Sequence, residues 1–420
     1  MDQRRLRLSF KGTATQLFSY IIILMSMFIM FCSLNKNSLG AVCIGLTLIL
    51  FVLNINAKGI RIALPFIVVS IVSLMILVMS GNAAERGFNA PINHALKFVY
   101  LAYTVVMATS IQGLSDYSKS KIIKTALLSI IISVTISLYS VIRLDRYAIR
   151  YYEARGFTYV ISFNQFYGVC LVLCILVMAL LYLSKKKKAK KYIFICIPII
   201  VCIGLSLYVT GVLICAFGMG LGFAIHKYDQ NRSKAAIWAI AIILALLLLF
   251  LFGNQVSDWI YRITEPLNFI LKDRLRSVAD TVFRTDHNLL YSYDRRDELA
   301  DYSLNSFKAH PLLGIGYKGY MYGTIGCHQE WQDMLGVFGL IGTILFALLM
   351  IYLINNVKKR IENKNDLHVF YLAVLVFFVL GFLNPCLSLP VLTAVFIIAP
   401  NASLIFYKKE DTFTQSINLL

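Results

Sequence analysis

Apolar runs of about 20 residues, separated by short polar segments, make up most of this chain; one such run spans a bilayer as a helix. The runs fall at 15–33, 38–54, 61–80, 94–112, 121–141, 158–184, 192–209, 211–226, 235–253, 334–355, 367–383 and 388–407. Within hydrocarbon every backbone N–H and C=O must be satisfied inside the segment, which favours helices over open sheets. The pattern therefore predicts an all-α polytopic membrane protein with about 12 transmembrane helices. The seventh and eighth runs share one apolar stretch, which splits near Thr210 and Gly211. The widest polar interval, 254–333, separates helices 9 and 10 and divides the chain into 1–253, 254–333 and 334–420. Polar intervals of this length in a compact protein are usually functional.

Composition agrees with this reading: 59% of residues are hydrophobic and 15% are charged, against about 25% charged in soluble domains. The basic start (Arg4, Arg5, Arg7, Lys11) runs into an apolar segment long enough to span, with no small-residue cleavage site, so the first helix is expected to be its own anchor. With the N-terminus in the cytoplasm, the inner loops are 55–60, 113–120, 185–191, 227–234 and 356–366, plus the C-terminal tail. These regions and their edges hold Lys119 and Lys121, the KKKKAKK run from Lys185, Lys227, Arg232 and Lys234, Lys358, Lys359 and Arg360, and Lys408 and Lys409. This is the bias that orients membrane proteins, and it places both termini inside. The net charge of +19 is then a matter of topology, and no nucleic-acid partner is expected.

In the outer segments most of the positive charge is arginine. Segment 142–157 holds Arg143, Arg146, Arg150 and Arg155; segment 254–333 holds Arg262, Arg274, Arg276, Arg284, Arg295 and Arg296. Guanidinium grips phosphate through two parallel bonds, which an ammonium cannot do. The competing reading pairs these arginines with Asp145, Glu153, Asp294 and Asp297. The stretch DWIYRITEPLNFILKDRLRSVADTVF suits one or two short helices at the membrane surface. DELADYSLNSFKAHP predicts another helix, with Leu299, Tyr302, Leu304 and Phe307 on one face and Pro311 ending it. Gly314, Gly316, Gly319 and Gly323 then predict a flexible turn region leading to His328. Glu330 follows His328 by two residues, which on a helix would put them on different faces, so no dyad is assigned. Gly336, Gly339 and Gly342 predict close helix packing. Lys97, with His94, lies just inside the fourth apolar run, where a charge either snorkels to the surface or lines a cavity. Seven of the nine cysteines lie in apolar runs as small hydrophobes, and no Cys/His spacing points to a metal.

An arginine in the context R-D-E-L, a P-L-L-G-I-G turn, and a histidine in G-C-H-Q-E-W ahead of D-M-L-G-V-F-G-L-I-G follow one another here. That order, within a twelve-helix plan, resembles the O-antigen ligase and polysaccharide polymerase family of bacterial envelope assembly. The segment ARGFTYVISFNQFYG is similar to the family's arginine–glycine–asparagine element opening a helix. The resemblance implies a membrane glycosyltransferase acting on the external face of the cytoplasmic membrane. Its donor would be an undecaprenyl-diphosphate-linked glycan, and it would use neither cofactor nor metal. The acceptor would be another lipid-linked repeat unit of capsule or O-antigen (polymerase) or lipid A-core of lipopolysaccharide (ligase). The polymerase is the preferred reading, with a flippase and a chain-length regulator as expected partners. One departure stands out: Thr210-Gly211-Val212 occupies the place of a Ser-Arg-Gly element, without the arginine.

The reaction assigns roles. His328 is the expected base, because imidazole titrates near neutrality. Arg296 is expected to meet the leaving diphosphate, with Arg295 its alternate. Arg155, Arg150, Lys97 and Asn164 are the expected substrate-binding residues. A lipid-linked oligosaccharide flippase is the competing reading, but it would need neither the long outer segment nor its histidine.

Overall fold

The computed structural model describes residues 3–31, 38–54, 58–79, 91–143, 161, 163–183, 192–206, 208–230, 253–266, 272, 276, 291–316 and 325–407. Among these residues regular structure is helical throughout, with no strand. The helices are α1 (Gln3–Phe31), α2 (Ser38–Leu53), α3 (Leu64–Met79, entered through the 3₁₀ turn Lys58–Ala63), α4 (Pro91–Gln112), α5 (Asp116–Arg143) and α6 (Phe163–Leu183). There follow α7 (Ile193–Leu205), α8 (Val209–Gln230), α9 (Gly253–Thr264), α10 (Tyr291–Ala309), α11 (Glu330–Lys358), α12 (Lys364–Leu383) and a composite α13 (Leu389–Phe406).

Seven of them are long and apolar enough to cross a membrane: α4, α5, α6, α8, α11, α12 and α13. Shorter apolar helices occur at Gln16–Phe31, Arg61–Ile76 and Ile193–Leu205. The ninth expected span, 235–253, lies outside the described residues except for Gly253, which opens α9. The split between the seventh and eighth runs falls earlier than Thr210. Ser206 ends α7, its hydroxyl donating to the Ile203 carbonyl (2.6 Å) and accepting from the Tyr208 N–H (3.2 Å).

The interior is built around α4 and α6, where Leu101, Val105 and Val106 on one helix and Phe166 and Cys170–Leu176 on the other are buried. α8 reaches α6 through a stripe of glycines. A Cβ at Gly211, Gly218 or Gly222 would lie 2.2, 2.6 or 2.3 Å from Phe166, Cys174 or Met178. Small residues at such positions let membrane helices approach closely, so Gly211 serves packing where the resemblance leads one to expect an arginine nearby. Apolar side chains cover the outside, as on α11, where Leu340, Ile341, Ile344, Leu348 and Ile351 are exposed. Bilayer chains solvate such a surface as well as protein does.

α13 is irregular for a local reason. It runs as α-helix over Leu389–Thr393, π-helix over Ala394–Ile398 and 3₁₀-helix over Ala399–Phe406. Pro400 lacks the N–H that would close an α-turn and crowds the preceding turn. Asn401 departs from helical geometry (φ −126°, ψ 23°), and its Nδ2 donates to the Ile397 carbonyl at 2.9 Å.

The contacts sort the helix ends into two groups. At one end lie the starts of α5, α7 and α12 and the ends of α4, α11 and α13. Ser120 Oγ donates to the Leu404 carbonyl (2.8 Å), Lys124 Nζ to the Tyr407 carbonyl (2.7 Å) and Tyr192 Oη to the Ile405 carbonyl (3.1 Å). Asp366 accepts both the N–H (2.7 Å) and the hydroxyl (2.6 Å) of Ser403, and Arg360 donates to Gln112. The lysine-bearing segments 185–191 and 356–366 leave or join helices here. At the other end, Ser133 donates to the Phe31 carbonyl, Ser137 accepts the Ile161 N–H, and Pro390 sits against Gly168. The starts of α4, α6, α11 and α13 meet there.

Candidate functional site

The loop before α11 is where the expected motif folds, and it is held by backbone contacts. α11 opens at Glu330, with Gln329 as its N-cap in extended geometry, and its regular path breaks at Gly339 (φ 61°, ψ −166°). A break frees carbonyls and N–H groups that must find partners. The P-L-L-G-I-G turn supplies them. The N–H groups of Ile315 and Gly316 donate to the carbonyls of Gly336 and Val337 (3.0 and 2.8 Å); those of Leu340 and Ile341 donate to the carbonyls of Pro311 and Leu312 (2.8 and 3.1 Å). Gly314 (φ 67°) and Gly339 both need the left-handed conformation, and a Cβ on either would strike the other's segment at 2.4–2.6 Å. The expectation of flexibility at Gly314 and Gly316 is thus corrected: the interlocked backbone fixes them. Gly319 and Gly323 lie outside the described residues. Gly336 and Gly339 do serve close packing, against α10 and the turn; the nearest neighbour of Gly342 is Phe338 of its own helix.

α10 packs on this loop with Leu299, Leu304 and Phe307 half-buried, but the centre of the packed face is not the expected one. Tyr302 is exposed, and Ser303 and Ser306 are buried. The small side chain of Ser303 lets the two backbones touch: a Cβ at Gly326 would come within 1.9 Å of the Leu299 carbonyl, and one at Gly336 within 2.8 Å of the Ser303 carbonyl. Apolar periodicity pointed to Leu299, Leu304 and Phe307, but close approach selects the serine.

Two buried carboxylates organise the rest. Glu330, fully buried, takes Lys97 Nζ on Oε1 at 2.5 Å and the N–H groups of Cys386 and Leu387 on Oε2 at 2.8 and 2.9 Å. One side chain therefore ties α4, α11 and the α12–α13 connection together. Asp333, one turn later on the same face, accepts the Ser303 hydroxyl (2.6 Å) and the Cys327 N–H (3.1 Å) on Oδ1; among the described residues Oδ2 has no hydrogen-bond partner. Both acids lie in the first turn of α11, where the helix dipole favours negative charge. The Ser303 hydroxyl in turn accepts the Gly326 N–H at 3.0 Å.

Cys327 adopts φ 58°, the one positive value on a non-glycine residue among those described. Such strain persists only where surroundings enforce it. Here its N–H is held by Asp333, and its Sγ lies 3.7 Å from Nε2 of the buried His94. Burial pushes the Cys327 thiol up to about 12, with Asp333 adding to the shift. Burial of this kind is the environment of a structural cysteine and not of a nucleophilic one. Burial likewise raises Cys386.

His328 sits between these anchors: Gly326 and Cys327 are fixed on one side, Glu330 on the other, and its own side chain is half-buried. Arg295 and Arg296 lie on α10. Arg296 is one turn before Leu299, about 4.5 Å along the helix axis, and Leu299 touches Gly326. The α10 backbone thus brings the arginine pair toward the histidine loop; their side chains lie outside the described residues. Lys97 is answered inside the bundle, where its Nζ pairs with Glu330 at 2.5 Å. Asn164 stands in the first turn of α6, four residues before the Gly168–Pro390 contact, with its side chain outside the described residues. Arg150 and Arg155 also lie outside the described residues.

Sequence reasoning set Glu330 aside and missed Asp333, Ser303 and the His94–Cys327 contact. One signal could have found the carboxylates: two acids three residues apart opening an apolar helix, and a lysine inside another, each need a partner in a membrane. No group of His, Cys, Asp and Glu able to hold a metal ion occurs among the described residues. No protein-family model matches this chain, and no curated protein matches it, so the reading of the site rests on the residues and their geometry.

Proposed function

We propose that this protein is an envelope polysaccharide polymerase. It transfers a glycan from undecaprenyl diphosphate to a sugar hydroxyl of another lipid-linked repeat unit, on the external face of the bacterial cytoplasmic membrane. In this reading the chain crosses the membrane twelve times, with both termini in the cytoplasm and 254–333 outside. The observation that carries it is His328: a half-buried residue that follows Cys327, whose N–H is held by buried Asp333, and precedes by two the buried Glu330, paired with Lys97.

The chemistry follows from what the transfer needs. The acceptor hydroxyl attacks the anomeric carbon, the carbon–oxygen bond to the diphosphate breaks, and the diphosphate leaves with the bonding pair. His328 takes the hydroxyl proton as attack proceeds, and a guanidinium, Arg296 first, stabilises charge gathering on the leaving group. Arg150 and Arg155 are assigned to the diphosphate of the incoming donor.

The test is complementation of a deletion strain with wild type or His328→Ala, with surface glycan resolved by length. Loss of the ladder to a single repeat unit on its normal acceptor supports the polymerase. Full-length polymer stranded on undecaprenyl diphosphate reassigns the acceptor to lipid A-core. An unchanged ladder with His328→Ala removes the histidine from the chemistry.

A further inference from the structure

We infer that Asp333 and Glu330 are positioning residues for His328, forming a two-sided clamp that fixes the imidazole from the residues before and after it; this rests on the functional reading above. On the leading side, Asp333 Oδ1 holds the Cys327 N–H (3.1 Å) and the Ser303 hydroxyl (2.6 Å), and that hydroxyl holds the Gly326 N–H (3.0 Å). The two peptide units before His328 are thereby tied to α10 and α11, and Cys327 is kept at φ 58°. On the trailing side, Glu330 is fixed by Lys97 and by two N–H groups of the α12–α13 connection. Three chain segments far apart in sequence converge on the residues around one partly accessible histidine.

A clamp of this kind has a chemical use. Transfer between two bulky lipid-linked glycans gives the base no covalent hold on either substrate, so its aim must come from the protein. A displacement of about 1 Å can cost roughly 100-fold in rate, and supporting residues prevent it by locking the side chain they surround. The clamp acts through position and not through proton exchange by Asp333, whose ligated oxygen is the one that an amide would reproduce.

The experiment measures His328 itself as well as turnover. Purified variants in nanodiscs are treated with diethyl pyrocarbonate, and the rate of carbethoxylation at His328 is followed by mass spectrometry; kcat and KM are measured with lipid-linked repeat units extracted from host membranes. Asp333→Ala is expected to raise the His328 modification rate several-fold and lower kcat roughly 10- to 100-fold with little change in KM. Asp333→Asn, which keeps an oxygen for Ser303 and Cys327, is expected to recover most of that loss. The swap Lys97→Glu/Glu330→Lys restores an ion pair but leaves the Cys386 and Leu387 N–H groups without their acceptor, so it is expected to remain impaired.

If Asp333→Ala does not fold, Ser303→Ala tests the same side and is expected to move both readouts in the same directions by less. The clamp is overturned if Asp333→Asn is as inactive as Asp333→Ala, or if His328 reactivity is unchanged in a folded Asp333→Ala protein. A raised reactivity in Asp333→Ala together with normal polymer from His328→Ala would instead overturn the functional reading and leave the clamp standing.

Discussion

At the end of the bundle where α5 and α12 begin, polar side chains donate to the carbonyls at the close of α13: Ser120, Lys124 and Tyr192 each reach one. Asp366 is a buried acid there and holds Ser403; at the opposite end two buried acids open a single helix, α11. Glu330 and Asp333 accept, and what they hold are N–H groups of loops at Cys327, Cys386 and Leu387. Capping a frayed helix end satisfies carbonyls that would otherwise lack partners, a structural need found at any helix terminus. Burying two carboxylates and a lysine to fix loops costs desolvation that apolar packing would avoid. That cost is borne where a positive-φ cysteine and a half-buried histidine stand side by side, the end to which the proposed function assigns its chemistry.

This contrast can be broken by substitution. The largest effect is expected from Glu330→Ala, which leaves Lys97 buried without its partner; about 3–5 kcal/mol of stability should be lost, read as a fall in thermal midpoint of the purified protein. Lys97→Met/Glu330→Gln should recover part of it, because no uncompensated charge remains. Gly339→Ala should follow: φ 61° with ψ −166° is a conformation essentially reserved for glycine, costing about 1–3 kcal/mol for alanine, and its Cβ would also strike the Leu312 and Gly314 backbone. Its signature is reduced stability together with proteolytic cleavage near the P-L-L-G-I-G turn.

At the other end, Asp366→Ala removes both bonds to Ser403 and should cost about 1–3 kcal/mol, with the proposed glycan transfer per folded molecule unchanged. A transfer defect out of proportion to folded protein would erase the distinction between the ends. Ser120→Ala should be the smallest, about 0.5–1.5 kcal/mol, visible only in a denaturation midpoint.

Much of the fold was legible because a bilayer demands long apolar helices, and α4, α5, α6, α11, α12 and α13 lie on the expected runs within a few residues. The split between α7 and α8 was misplaced by a few residues, because the Ser206 hydroxyl, not Thr210 or Gly211, terminates the helix. His328 and the arginine pair were picked out by residue type and order. Of the face expected on α10, Leu299, Leu304 and Phe307 are half-buried and only Tyr302 is exposed; its centre was misjudged because apolar spacing says nothing of how closely two backbones can approach. There the missing side chains of Gly326 and Gly336 and the small one of Ser303 outweighed Tyr302.

The sequence by itself determined the helical class, the apolar runs, the placing of lysine against arginine along the chain, and a short set of residues able to do chemistry. These follow from transfer free energies and side-chain properties that each residue carries wherever it sits. Only the tertiary structure decided that Lys97 answers Glu330 across 233 positions, that the P-L-L-G-I-G turn repairs the break in α11, and that Asp333 holds Cys327 and Ser303 at once. Those contacts depend on which segments the packed helices bring within hydrogen-bond reach, and hydropathy carries no record of that.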